Sequence, residues 1–195
     1  MNYLAHIALS QPTPYSLVGN LLGDFCKGIE IDALPNAVRM GLVNHRAVDY
    51  FTDHHPLVRQ AKTFFSSQRR RFAGIALDVL FDHFLIRHWQ QFYPQPFAIA
   101  KQQIYRDIAL AEHLMPVAMA RTMRSVYKND WFASYEHLPS LGFALDKIAG
   151  RIRFRNNFTG VIDEIKPVYS SLEQDFLLFY PQLQQHVQHL ALEQR

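Results

Sequence analysis

One segment limits what this chain can become more than any other, the run from Phe72 to Phe92. It is long enough for nearly six helical turns, and Leu77, Val79, Leu80, Phe84 and Ile86 leave it apolar on almost every side. A helix of that kind is buried. Yet it carries Asp78 and Asp82, only about 40° apart around the axis, with Leu85 and Trp89 close to the same direction and His83 adjacent. An unpaired carboxylate in such a place is costly, so it pairs or binds a metal. Two acids on one buried face therefore need a cation or several hydrogen-bond donors.

The same four-residue spacing recurs upstream. Asn2 and His6, Asn20 and Asp24, and His45 and Asp49 each share a helix face amid apolar sequence. A single His or Asp so placed is ordinarily a satisfied core group or an exposed one. Four such pairs within the first 90 residues favour a site. Imidazoles and carboxylates together suit divalent manganese, iron or zinc. Arg46 projects about a quarter-turn from His45, and its fork suits a phosphate oxygen. Such an ion acidifies a water and stabilises charge on phosphoryl oxygens.

Helical periodicity dominates elsewhere, and strand-like alternation is nowhere sustained. The spacing predicts helices from about Asn2, from Ser16 to Phe25, from Pro35 into the low fifties, and from Pro56 to Arg69-Arg70-Arg71. Gln11-Pro12-Thr13-Pro14 reads as a break and Gly28 to Pro35 as a loop. Later helices are expected over 97–113, 116–127, 139–150 and 160–190, interrupted at Pro167 and Pro181. The expectation is an all-α, single-domain helical bundle over residues 1–195.

Hydrophobic residues make up 49% of the chain, so a core needs no staples, and Cys26 stands alone, which excludes a disulfide framework. Met1 to Ser10 does not read as a signal peptide, and no apolar run approaches a bilayer's thickness, so a soluble cytoplasmic protein is expected. The net charge of +3 is too mild to imply nucleic acid. A di-iron carboxylate bundle is disfavoured, because no Glu-x-x-His motif occurs.

Met1-Asn2-Tyr3-Leu4-Ala5-His6, Gly19-Asn20-Leu21-Leu22-Gly23-Asp24-Phe25 and His45-Arg46-Ala47-Val48-Asp49 resemble the acyl carrier protein phosphodiesterase family. Thr52-Asp53, Leu77-Asp78-Val79, the stretch from Asp82 to Trp89 and a weaker Phe179-Tyr180-Pro181 extend the likeness. The resemblance implies an all-helical, HD-phosphohydrolase-like enzyme, usually manganese-dependent. Its reaction is hydrolysis of the phosphodiester between the carrier's serine and 4′-phosphopantetheine. HD enzymes carry His followed by Asp, whereas the matching dipeptide here is Asp82-His83 and no His-Asp dipeptide occurs anywhere, so ligands cannot be transferred from that pattern.

Helix geometry together with this resemblance selects Asp24, His45, Asp78 and Asp82 as the expected metal environment. His6, Arg46, Asp49 and His83 are the expected catalytic groups. Arg69, Arg70 and Arg71, with Arg151, Arg153 and Arg155, are expected to dock the acidic carrier protein. Two other readings share parts of this pattern: a metal phosphohydrolase of another phosphoester such as a nucleotide, and a non-catalytic carrier-binding module.

Overall fold

The computed structural model describes residues 1–152 and 154–194, and every regular element among them is helical. Two short N-terminal helices, α1 (Tyr3–Ala8) and α2 (Pro14–Leu22), precede the long α3 (Asn36–His54). Then come α4 (Pro56–Thr63), the buried α5 (Ala73–Arg87) and the single turn α6 (Trp89–Phe92). The second half holds α7 (Phe97–Ala111), α8 (Val117–Lys128), α9 (Leu138–Ala149), α10 (Ile162–Ile165) and α11 (Tyr169–Leu190).

The expected burial of the central segment is found. Eleven of the fifteen residues of α5 are buried, Asp82 and His83 among them. Aromatic side chains from α11 pack across it, with Phe176 and Phe179 against Phe81 and Phe176 against Phe84. Each such ring taken from water contributes about 1.5–3 kcal/mol. One contiguous apolar cluster runs from Met1 through α5 to Leu183, joining both halves of the chain.

Helix ends differ from expectation where local chemistry is specific. The second helix starts at Pro14, not Ser16, because Thr13 caps it by accepting the Ser16 N–H, and proline fits the first turn. The helix from Pro56 stops at Thr63, so the three arginines lie on turns and a short 3₁₀ segment instead of a helix end. The run to Phe92 breaks at His88, whose Nε2 meets Glu173 Oε1 at 2.8 Å. A discontinuity does fall at Pro167, but α11 continues through Pro181. Proline inside a helix costs about 3 kcal/mol. Burial of Phe179, Tyr180 and Leu183 around it outweighs that.

Helices α2 and α3 cross closely enough to require glycine on both. A Cβ on Gly19 would fall 2.8 Å from the Gly41 Cα, and one on Gly41 would fall 2.8 Å from the Ser16 carbonyl oxygen. This crossing carries Asn20 to within reach of His45.

Candidate metal centre

The centre begins with an anchored N-terminus. Asp82, wholly buried on α5, accepts hydrogen bonds from the backbone N–H groups of Leu4 at 3.0 Å and Ala5 at 3.1 Å. These are among the first N–H groups of α1, which have no partner within the helix. A carboxylate at a helix N-terminus also opposes the helix dipole favourably. Burial nevertheless dominates and pushes the Asp82 carboxyl up to about 7, against the two N–H bonds that favour its ionised form.

That anchor sets His6 of α1 over α3. The imidazoles of His6 and His45 stack at 3.9 Å between centroids, 20° from parallel. Asp49 joins them, its Oδ2 3.0 Å from His45 Nε2 and its Oδ1 3.2 Å from His6 Nε2. One ligand atom from each of the three residues lies within 4.8 Å of the others. The Met1 amino group adds a fourth contact, 3.2 Å from Asp49 Oδ1 and 2.9 Å from Asp78 Oδ1.

The electrostatics follow from this crowding. Burial lowers the His6 imidazole to about 4, so it is neutral near pH 7. Burial acts the same way on His45, but the Asp49 carboxylate and the Asn20 carbonyl outweigh it and raise its pKa. Burial would raise Asp49, yet hydrogen bonds from His45 and His6 hold it well below the usual carboxylate range. The Met1 amine, disfavoured by burial, is raised to about 10 by Asp78 and Asp49.

A divalent metal fits these residues. The donor set is two imidazoles and a carboxylate, with a second carboxylate, Asp78, nearby. His6 turns Nε2 toward Asp49, and among the described residues its buried Nδ1 has no hydrogen-bond partner, so no acceptor fixes the ring's tautomer from that side. His45 Nδ1 lies 2.7 Å from the Asn20 carbonyl oxygen, the outer contact that orients a ligating imidazole. Asn20 is held in turn, because its Oδ1 accepts from Asn44 Nδ2 at 2.9 Å and its Nδ2 donates to Glu193 Oε1 at 2.8 Å.

Gly23 completes the packing. A Cβ there would overlap the His45 ring, and the first atom met would be Nε2. Gly23→Ala is therefore expected to lower manganese affinity about 10–100-fold, the scale of lost ligand support. Calorimetric titration with manganese, beside a thermal melt, checks this.

Of the residues expected from sequence, the structure brings together His6, His45, Asp49 and Asp78. Asp24 is exposed at the rim, where the charges of His45 and Asp49 reach it. Arg46 is exposed on α3 beside His45. Asp82 is not part of the cluster, because both its oxygens are taken by α1. His83 lies apart as well, with Nδ1 2.6 Å from the Tyr135 carbonyl and Nε2 2.7 Å from the Tyr169 hydroxyl. It braces α5 against the following segments.

The arginines also divide. Arg69 is fixed to the Asn157 and Thr159 carbonyls and to Glu164, and Arg70 reaches the Thr63 and Phe65 carbonyls. Arg71 lies over the rings of Phe72 and Phe154 and donates to the Arg155 carbonyl, while Arg151 lies over Trp131. Arg71, Arg151 and Arg155 remain exposed, and Arg153 lies outside the described residues. Sequence reasoning missed Asn44, whose only signal was a polar side chain directly before His45. It also missed the Met1 amine, which no side-chain pattern announces.

The sequence profile described as acyl carrier protein phosphodiesterase matches residues 1–183. A protein of that name from Serratia proteamaculans is 38% identical, over 95% of this chain and 96% of its own. Namesakes from Yersinia pestis and an Enterobacter species are 36% and 33% identical, over 97% and 94% of this chain and 98% and 95% of theirs. No solved structure matches significantly. The profile match and these relatives span nearly the whole chain, and the protein belongs to the acyl carrier protein phosphodiesterase family.

Proposed function

We propose that this chain hydrolyses the phosphodiester joining 4′-phosphopantetheine to the serine of holo acyl carrier protein, using a divalent metal, manganese by preference. The observation that carries the reading is the convergence of His6, His45 and Asp49 within 4.8 Å. His6, His45 and Asp49 would hold the ion, with Asp78 beside them. A bound ion supplies an acidified water and stabilises charge on the phosphoryl oxygens.

The chain's own groups do the rest. Asp49 fixes both imidazoles through its two oxygens. His6 is neutral because burial keeps its pKa low, so a lone pair is open for ligation or for a proton. Arg46 is exposed one residue from His45 and suits a non-bridging phosphoryl oxygen, where developing charge is best met by a preoriented donor. Arg71, Arg151 and Arg155 give an acidic carrier a basic approach surface, which speeds encounter and sets register.

Two further elements belong to the same reading. The fold is remotely akin to the HD-type metal phosphohydrolases. The protein works in the cytoplasm, which suits the single unpaired Cys26; among the described residues no helix is long and apolar enough to cross a membrane.

Intact mass spectrometry tests the proposal. Purified protein with manganese should remove the complete 4′-phosphopantetheine mass from holo carrier, and a chelator should abolish the loss. An unchanged carrier mass across several divalent ions would overturn it.

A further inference from the structure

A cavity of about 420 Å³ opens between α9 and the turn from Trp131 to Tyr135. Trp131, Tyr135, Phe143 and Ile148 give it apolar faces, Ser134 and Ser140 add hydroxyls, and Lys147 and Arg151 are exposed beside it. Its volume is that of a small-molecule site, and a mostly apolar wall with a few polar groups is how such sites are built. Phe143 is 72% exposed, a large ring with little cover from the protein itself. The Arg151 guanidinium stands 5.5 Å from the Trp131 ring centroid, so one wall is set before any ligand arrives.

The cavity is linked to the metal centre through α5 and α1: the Tyr135 carbonyl lies 2.6 Å from His83 Nδ1, and the adjacent Asp82 holds the start of α1, which carries His6. Tyr135 itself lines the cavity. Tyr3, the first residue of α1, stacks on Phe25 next to Asp24, with 6.4 Å between ring centroids. Asp24 in turn feels His45 and Asp49. A ligand that runs along the start of α1 would therefore reach from one to the other.

We infer that this cavity receives the pantetheine arm of the substrate, an extended chain of amides and methyl-bearing carbons ending in a thiol. The inference rests on the proposed function and deepens it. The arm's phosphate end must lie at the metal centre, so the remainder needs a surface alongside. Serine hydroxyls match its amides, aromatic faces match its methyl groups, and Lys147 and Arg151 face the acidic carrier from which it extends. Holding the arm there orients the phosphodiester for attack and distinguishes it from the phosphoester of a compact nucleotide.

Tryptophan fluorescence provides the test, since Trp131 is half-buried at the cavity while Trp89, the other tryptophan, is buried against Tyr93 and Phe97. Titration of free 4′-phosphopantetheine into the manganese-supplied protein should give a saturable change. Ala144→Phe fills the cavity, and Phe143→Ser removes its exposed ring without touching the core. Ala144→Phe should weaken the titration about tenfold or more, the equivalent of roughly 1.4 kcal/mol. The KM for holo carrier should rise in both variants. Unchanged titrations and KM values in both, from a native protein that cleaves holo carrier, would overturn the cavity assignment alone. A native protein that does not cleave holo carrier would bring down the functional reading and this inference together.

Discussion

His45→Ala is expected to lower turnover of holo acyl carrier protein by on the order of 10³-fold or more, the range seen when one preorganised catalytic group is lost. The physical reason is its position. His45 stacks on His6, meets Asp49 through Nε2 and is held by the Asn20 carbonyl through Nδ1. Gly23 closes over the ring with no room for a side chain, so the imidazole is confined from that side. The fold should survive, because the α2–α3 crossing is packed through Gly19 and Gly41 and does not depend on the imidazole. Steady-state assays by carrier mass, with a thermal melt as control, read both quantities. Turnover within tenfold of the native protein would remove His45 from the centre.

The largest stability effect is expected at Asp82. Asp82→Asn replaces one of two accepting oxygens with an NH₂ that faces a backbone N–H of α1. A buried unsatisfied donor costs about 1–3 kcal/mol, and Asp82→Ala, which leaves both N–H groups unmet, costs more. The pH dependence separates this role from simple packing. The folded-state carboxyl is pushed up to about 7, above its value of 3.8 in the unfolded chain. The folded state therefore binds the proton more tightly, and the stability this gives is full below about pH 4 and lost as pH rises through 7. Asp82→Asn should lack that component, so its denaturation midpoint should fall less between pH 4 and 7. A parallel pH slope in the two proteins would contradict the assignment.

Much of this was legible in the sequence, for reasons particular residues make plain. The near-continuous apolar run of α5 announced its burial, and the four-residue spacings put buried His6 and His45 and half-exposed Asp49 and Asp78 on faces that meet. Spacing along one helix, however, does not say which neighbour arrives opposite. Asp78 and Asp82 share a face of α5, yet α1 reaches them with a terminal amine at one and free N–H groups at the other. That difference is tertiary, and it divides two acids that look equivalent in one dimension. His83 was drawn toward the site by its place beside Asp82 in the family-like stretch, whereas the 100° step to the next residue turns it toward Tyr135 and Tyr169. The arginine triplet looked like a docking patch, but two of its members bind backbone carbonyls of turns that sequence pattern does not foretell. The cavity by α9 was invisible for the same reason, because a turn and a helix build it without a periodic signal.

The most direct test of the centre is manganese stoichiometry after equilibrium dialysis of the native protein, Asp49→Ala and Asp82→Asn. The native protein and Asp82→Asn should retain the metal, and Asp49→Ala should lose it. Retention by Asp49→Ala, or loss from a folded Asp82→Asn, would contradict the placement of the metal at His6, His45 and Asp49.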